Sequence, residues 1–149
     1  MSAPAPFSGL AKARTLAERV PFFPPHFQGL VIIKHCKLWD GDNGQAFIVE
    51  FEVKSTNLPD VRVGERRSWY VKMGTPKERE MADPNIKQFA FAALEARTEA
   101  DKARLEPHLN ELMLAACSEE QGMTDTVVQL NTMMNRAGTF TKHYFAIAS

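Results

Sequence analysis

The stretch Gln45-Ala-Phe-Ile-Val-Glu-Phe-Glu-Val-Lys54 decides the fold class. In an extended chain Phe47, Val49, Phe51 and Val53 point one way, while Ile48, Glu50, Glu52 and Lys54 point the other. Such alternation marks a half-buried antiparallel strand, with one face on a core and one in water. Upstream, Leu30–Leu38 (LVIIKHCKL) is rich in β-branched residues, and it is followed by Trp39 and the turn-forming run Asp40-Gly-Asp-Asn-Gly44. The two segments are therefore predicted to form a hairpin. Downstream, a polar loop over residues 55–64 leads to a third strand, Glu65–Met73. Arg67, Trp69, Val71 and Met73 share one face of it; Arg66, Ser68, Tyr70 and Lys72 share the other. Gly74-Thr-Pro76 is expected to end this strand.

The period then changes from two to about 3.6. Asp83-Pro84 predicts a helix start, an Asp cap followed by Pro at the first helical position. Ile86, Phe89, Ala90, Ala93 and Leu94 recur on its buried face. A second helix is expected from about Pro107, with Leu109, Leu112, Met113, Ala116 and Cys117 on its apolar side and Gly122 just beyond. Strand pattern returns over Thr126–Asn135 and Thr139–Ala148, around a three-residue connection, Arg136-Ala-Gly138. Ahead of the first strand, residues 1–25 are expected to form an N-terminal arm. Ser8 would cap a short helix over Gly9–Arg19, stopped by Pro21, Pro24 and Pro25. Phe22, Phe23 and Phe27 are expected to be buried, on the domain or on a neighbouring subunit. Residues 26–149 form the predicted domain.

The expected class is mainly β with helices (α+β). Three strands, a helical connection and a closing hairpin give the order of a five-stranded oligonucleotide/oligosaccharide-binding (OB) barrel, with the helical insertion between strands 3 and 4. Over roughly residues 28–148 the chain resembles phage-encoded single-stranded DNA-binding proteins of the OB class. The segments carrying the resemblance are Phe47–Thr56 (FIVEFEVKST), Val63–Met73 (VGERRSWYVKM), Asn85–Leu94 (NIKQFAFAAL) and Gly138–Phe145 (GTFTKHYF). The resemblance implies a protein that coats single-stranded DNA in phage replication or recombination, in the host cytoplasm. Bacterial housekeeping members of that functional class end in an acidic tail. This sequence ends in Phe145-Ala-Ile-Ala-Ser149, so recruitment of partners through such a tail is not expected.

Binding single strands without sequence preference requires cations for phosphates and flat side chains for bases. The candidate nucleic-acid-binding residues are Lys34, Lys37 and Trp39 toward the end of the first strand, and Arg66, Tyr70 and Lys72 on the third. Phe140, Lys142 and Tyr144 share one face of the last strand. Trp69, on the apolar face of its strand, is read as core. Trp39 reads equally as a stacking platform or as a lid on the barrel, and Tyr70 as ligand-facing or structural. Phe140 and Tyr144 read either as facing DNA or as packing on the helices. Arg66 and Arg67 also suit a solvated strand edge guarded by charge.

Composition bounds the alternatives. At 149 residues with 44% hydrophobic and 24% charged side chains, the chain suits one globular domain. No apolar stretch is long enough to span a bilayer, and Met1–Leu10 lacks the pattern of a secretory leader. Lysine plus arginine equal aspartate plus glutamate at 18 each, which argues against a strongly basic binder. The distribution is uneven, however: residues 78–125 hold eleven acidic against five basic side chains, leaving the strand-rich remainder positive. That split suits a polyanion on one face, and equally an ordinary solvated surface. Two cysteines, Cys36 and Cys117, suggest neither a zinc site nor a disulfide framework, and point to a reducing compartment. The four histidines have no ligand spacing. Asp40–Gly44 opens like a calcium loop but lacks the glycine at its sixth position, and Phe51 stands where the last glutamate belongs. With no phosphate loop, nucleophile elbow or HExxH motif, no catalytic residue, metal or cofactor is expected. The partners expected are single-stranded DNA and further copies of the chain through the arm. A virion structural or assembly protein on a small β-barrel is the first alternative, favoured by the Phe/Pro-rich arm and seven adaptable methionines; a protein adaptor that takes a peptide partner in the barrel groove is the second.

Overall fold

The computed structural model describes residues 20–41 and 44–148. The helix expected over 9–19 and the centre of the first turn, Asp42-Asn43, lie outside them. Among the described residues five strands and three α-helices follow one another as β1 (Gln28–Gly41), β2 (Gly44–Val53), β3 (Arg66–Lys72), α1 (Pro76–Ala93), α2 (Glu99–Leu105), a 3-10 turn (Glu106–His108), α3 (Leu109–Ala116), β4 (Val127–Met134) and β5 (Thr141–Ile147). The strands make one antiparallel sheet in the order β3-β2-β1-β4-β5. The expected α+β class, with helices inserted between the third and fourth strands, is what the chain adopts. The sheet is not closed, since no ladder joins its edges β3 and β5.

The alternation in β2 carries through as read: Phe47, Val49, Phe51 and Val53 are all buried. Trp69 of β3 is core, its ring 4.6 Å from that of Phe145 on β5. Phe89 of α1 packs against Phe47, Phe51, Trp69 and Phe145 at centroid distances of 5.1–6.2 Å. Burying so large a ring is worth roughly 1.5–3 kcal/mol, which fixes α1 across the inner side of the sheet.

Helix boundaries differ from expectation in two places. Thr75, not Asp83, caps α1. Its hydroxyl accepts from the Glu78 N–H, the Glu78 carboxylate accepts from the Thr75 N–H, and Pro76 takes the first turn. A capping box with Pro at its start satisfies two otherwise orphaned donors, so Gly74-Thr-Pro76 begins a helix as well as ending a strand. Pro84 therefore lies inside α1. Its surroundings, Glu80, Asp83 and Asn85, are exposed, so the carbonyl it leaves unpaired can turn to water. A second capping box, Thr98 with Asp101, starts α2, which the sequence reading passed over. The helix expected from Pro107 begins at Leu109, after the 3-10 turn.

The closing hairpin is also looser than expected. The strands stop at Met134 and resume at Thr141, leaving a six-residue loop. Asn135 organises it, its Oδ1 accepting from the N–H groups of Thr139 and Phe140 at 2.8 and 3.1 Å while Gly138 takes a positive φ. The local hydrogen bonds of one Asn side chain outcompete ladder pairing here.

Residues 20–25 are tied to the sheet. The Ser68 N–H donates to the Pro21 carbonyl at 2.8 Å, and Phe22 forms a parallel bridge with Ser68. Arg67 donates to the Phe22 carbonyl at 2.8 Å, and the Thr132 hydroxyl donates to that of Pro24 at 2.6 Å. Phe23 and Phe27 are buried as expected, with Phe23 lying 5.9 Å from Phe51 and 6.1 Å from His143 of β5. Phe22 is not buried: 56% of its surface is exposed. In an extended chain neighbouring side chains face opposite ways, so burying Phe23 turns Phe22 outward.

Candidate nucleic-acid interface

One irregularity in β1 sets the outer face of the sheet. Ile33 pairs with Phe51 and His35 pairs with Glu50, so Lys34 between them has no partner in β2. Such a bulge inverts the alternation of everything after it. Before it, Val31 and Ile33 face the core; after it, Cys36 does. His35, Lys37 and Trp39 are thereby turned outward together.

Register then assembles two cross-strand rows on that face. Ile48 is the partner of Lys37 in β1 and of Tyr70 in β3, giving Lys37–Ile48–Tyr70. Ala46 is the partner of Trp39 and of Lys72, giving Trp39–Ala46–Lys72. Directly opposed residues share a face with Cβ atoms about 4.5–5.5 Å apart. Each row therefore holds one aromatic and one cation, in opposite order. Trp39 and Tyr70 are 46% and 41% exposed, enough to offer a ring face to a ligand. Phe22 extends the face past the sheet edge, its ring 6.4 Å from that of Tyr70. Phe22, expected from the sequence to be buried, is exposed instead; the doublet Phe22-Phe23 in an extended, proline-flanked run signals that one ring must face outward.

The Lys37 ammonium sits 4.7 Å from the centre of the Trp39 ring. An exposed cation–π contact of this kind is worth about 0.5–1 kcal/mol, less than the roughly 1–3 kcal/mol of a stacked base. A base can therefore displace the ammonium, which is then free to meet a phosphate. The charge is graded along the face. Lys37 and Lys72 occupy the end near the β1–β2 turn, while Glu50 and Glu52 occupy the other. Arg66 stands directly opposite Glu52, so it adds little to the positive end.

The remaining candidates lie elsewhere. Lys34, the bulge residue, is committed to Asp125 through an ion pair at 2.7 Å. Lys142 and Tyr144 project from β5, opposite Met133 and Asn131. Phe140 is exposed in the loop before β5 and not in the strand. Across the sheet this second group is on the far wing from Tyr70. Phe22 and Phe23 lie between the two sheet edges, Phe22 bridging Ser68 of β3 and Phe23 lying 6.1 Å from His143 of β5.

The titratable groups most displaced from ordinary values are internal. Burial pushes the Cys36 thiol up to about 12, with the Cys117 thiol adding to the effect, and burial also raises Cys117. Burial lowers His143 to about 4, against a smaller opposing effect of its hydrogen bond with the Thr141 backbone, and its Nε2 has no hydrogen-bond partner. None of these groups faces the outer surface described above. Among the described residues no three His, Cys, Asp or Glu side chains gather as a metal site would require. No helix among them is long and apolar enough to cross a membrane. Comparison with protein-family models and with curated proteins gives no match for the chain.

Proposed function

We propose that this protein binds single-stranded DNA without strong sequence preference, in phage replication or recombination, through the outer face of β1, β2 and β3. The observation that carries the reading is the pair of rows Lys37–Ile48–Tyr70 and Trp39–Ala46–Lys72, which bring aromatic and cationic side chains from two non-adjacent strands onto one exposed surface. Bases stack on Trp39 and Tyr70, and the two ammonium groups hold the phosphates between them. Phe22 offers a third ring beside Tyr70. In this reading the sheet is an OB-like barrel in which residues 20–23 fill the seam between β3 and β5; the strand order and the contact of Trp69 with Phe145 support it. The neutral net charge predicts modest affinity, because few phosphates are neutralised.

Binding of fluorescein-labelled poly(dT), followed by anisotropy at two salt concentrations, tests the proposal. Salt-sensitive binding that Tyr70→Ala weakens supports it. No binding at low salt up to tens of micromolar sinks it. One observation favours the second reading, a virion or assembly component: Met133, Met134, Phe140 and Tyr144 together expose apolar surface along the β4–β5 hairpin. Large closed assemblies by light scattering, with no affinity for DNA, would move the assignment there.

A further inference from the structure

A cavity of about 530 Å³ opens between α1, the start of α2 and the edge strand β5. Its floor is apolar, formed in part by Phe91, Ala92, Ala96 and Ile147, and its rim carries Lys87, Arg97 and Lys102. Residues 78–125 contain only five basic side chains against eleven acidic ones, and three of those five line this one cavity. The Lys87 and Lys102 ammonium groups stand 5.8 and 6.0 Å from the centre of the Phe91 ring. Lys87 pairs with Glu106 and Lys102 with Glu99, both on the exposed surface. Exposed pairs of this kind are worth about 0–1 kcal/mol, so an incoming carboxylate can exchange with them. The Arg97 guanidinium makes no ion pair or hydrogen bond among the described residues.

The backbone beside the cavity belongs to the edge strand β5. The Phe145 N–H points away from β4 and is taken by the Gln88 side chain at 2.9 Å. Antiparallel alternation turns the Ile147 N–H the same way, and it has no acceptor among the described residues. An extended segment laid along β5 would gain main-chain hydrogen bonds there and place alternate side chains over the cavity.

We propose that this groove docks an acidic peptide segment of a partner protein, in extended form, that buries one bulky apolar side chain over Phe91 and sets flanking carboxylates on Lys87, Arg97 and Lys102. Phosphates would also meet the three cations. The apolar floor and the free Ile147 N–H favour a polypeptide over a nucleic acid. This surface is distinct from the β1–β2–β3 face, so the two proposals stand or fall separately.

Selection of random dodecapeptides displayed on phage against the full chain tests the docking site, with affinities of the selected peptides then measured by calorimetry. The expected result is enrichment of Asp or Glu around Phe, Leu, Ile or Trp, with affinity at least tenfold weaker for Arg97→Glu and for Lys102→Glu. Both variants should retain the wild-type melting temperature and poly(dT) affinity, since both side chains are on the surface away from β1–β3. Failure to select peptides, selection without acidic enrichment, or affinities that neither variant changes would overturn the proposal. Loss of poly(dT) binding in either variant would also overturn it, by assigning the groove to nucleic acid.

Discussion

The indole of Trp39 lies against the backbone of Gly41, so closely that position 41 has no room for a β-carbon. Both residues belong to the outer face of β1, two apart, and the missing side chain at 41 lets the ring lie along the strand. Gly41 is thus part of the candidate interface without contacting a ligand. Gly41→Ala should turn the indole away and weaken poly(dT) binding about as much as Trp39→Ala, by roughly 1–3 kcal/mol. Stability should change by only about 0.5 kcal/mol, as at other surface positions. Anisotropy titration beside thermal melting checks both; unchanged affinity in Gly41→Ala would remove Trp39 from the interface.

The lysines of the outer face are separable by their salt dependence. Each phosphate contact to a single strand contributes about 0.7 to the slope of log affinity against log salt. Lys37→Ala and Lys72→Ala should each flatten the slope by about that amount. Lys34→Ala should leave it unchanged, because its ammonium is engaged by Asp125 at 2.7 Å. Loss of that partly exposed pair should lower stability by no more than about 1 kcal/mol.

Phe22 and Phe23 are neighbours with opposite tasks. Phe23→Ala empties a site between Phe27, Phe51 and His143 and should destabilise the fold by about 3–5 kcal/mol. Phe22→Ala should leave the urea midpoint nearly unchanged and weaken binding by about 1–3 kcal/mol. Equal destabilisation by the two variants would show that Phe22 serves the seam and not the surface.

His143 gives the fold a pH dependence of definite sign. Its ring is largely covered beside Trp69 and Phe23 and held to about 4, against about 6.5 for an unfolded histidine. The unfolded chain therefore takes up the proton first. The stabilising contribution is complete above pH 6.5, falls as the pH drops toward 4, and is constant below that. The whole change is on the order of 3 kcal/mol. Urea unfolding at pH 7.5 and 4.5 should show a smaller loss for His143→Phe than for the wild type. A loss of the same size would place the acid sensitivity in the carboxylates.

Much of the sheet was legible because Phe47–Val53 of β2 and the apolar side of β3 follow a two-residue period; Ser68, on the other side of β3, is buried under residues 20–22. The same period placed Arg66, Ser68, Tyr70 and Lys72 on one side and Trp69 in the core. Element boundaries were less legible where two local signals competed. Thr75-Pro76 and Asp83-Pro84 both look like helix starts, and the reciprocal hydrogen bonds of Thr75 and Glu78 put the start at the first. Arg136-Ala-Gly138 looks like a tight connection, but the Asn135 side chain captures the backbone that a tight turn would have paired.

By itself, the sequence determined the faces of β2 and β3, the helical insertion, the aromatic core around Phe51, Trp69 and Phe89, and the residue types from which a binding surface is built. Those depend on short-range periodicity and on the drive to bury apolar area, which act over a few residues. Only the tertiary structure decided which candidates meet. The bulge at Lys34 exchanges the faces of β1, turning Lys37 and Trp39 outward. The register through Ile48 and Ala46 aligns them with Tyr70 and Lys72, and the pairing of Pro21 with Ser68 brings Phe22 to the same surface. Each of these is a long-range backbone hydrogen-bonding choice, made by the chain as a whole, and no local pattern of side chains encodes it.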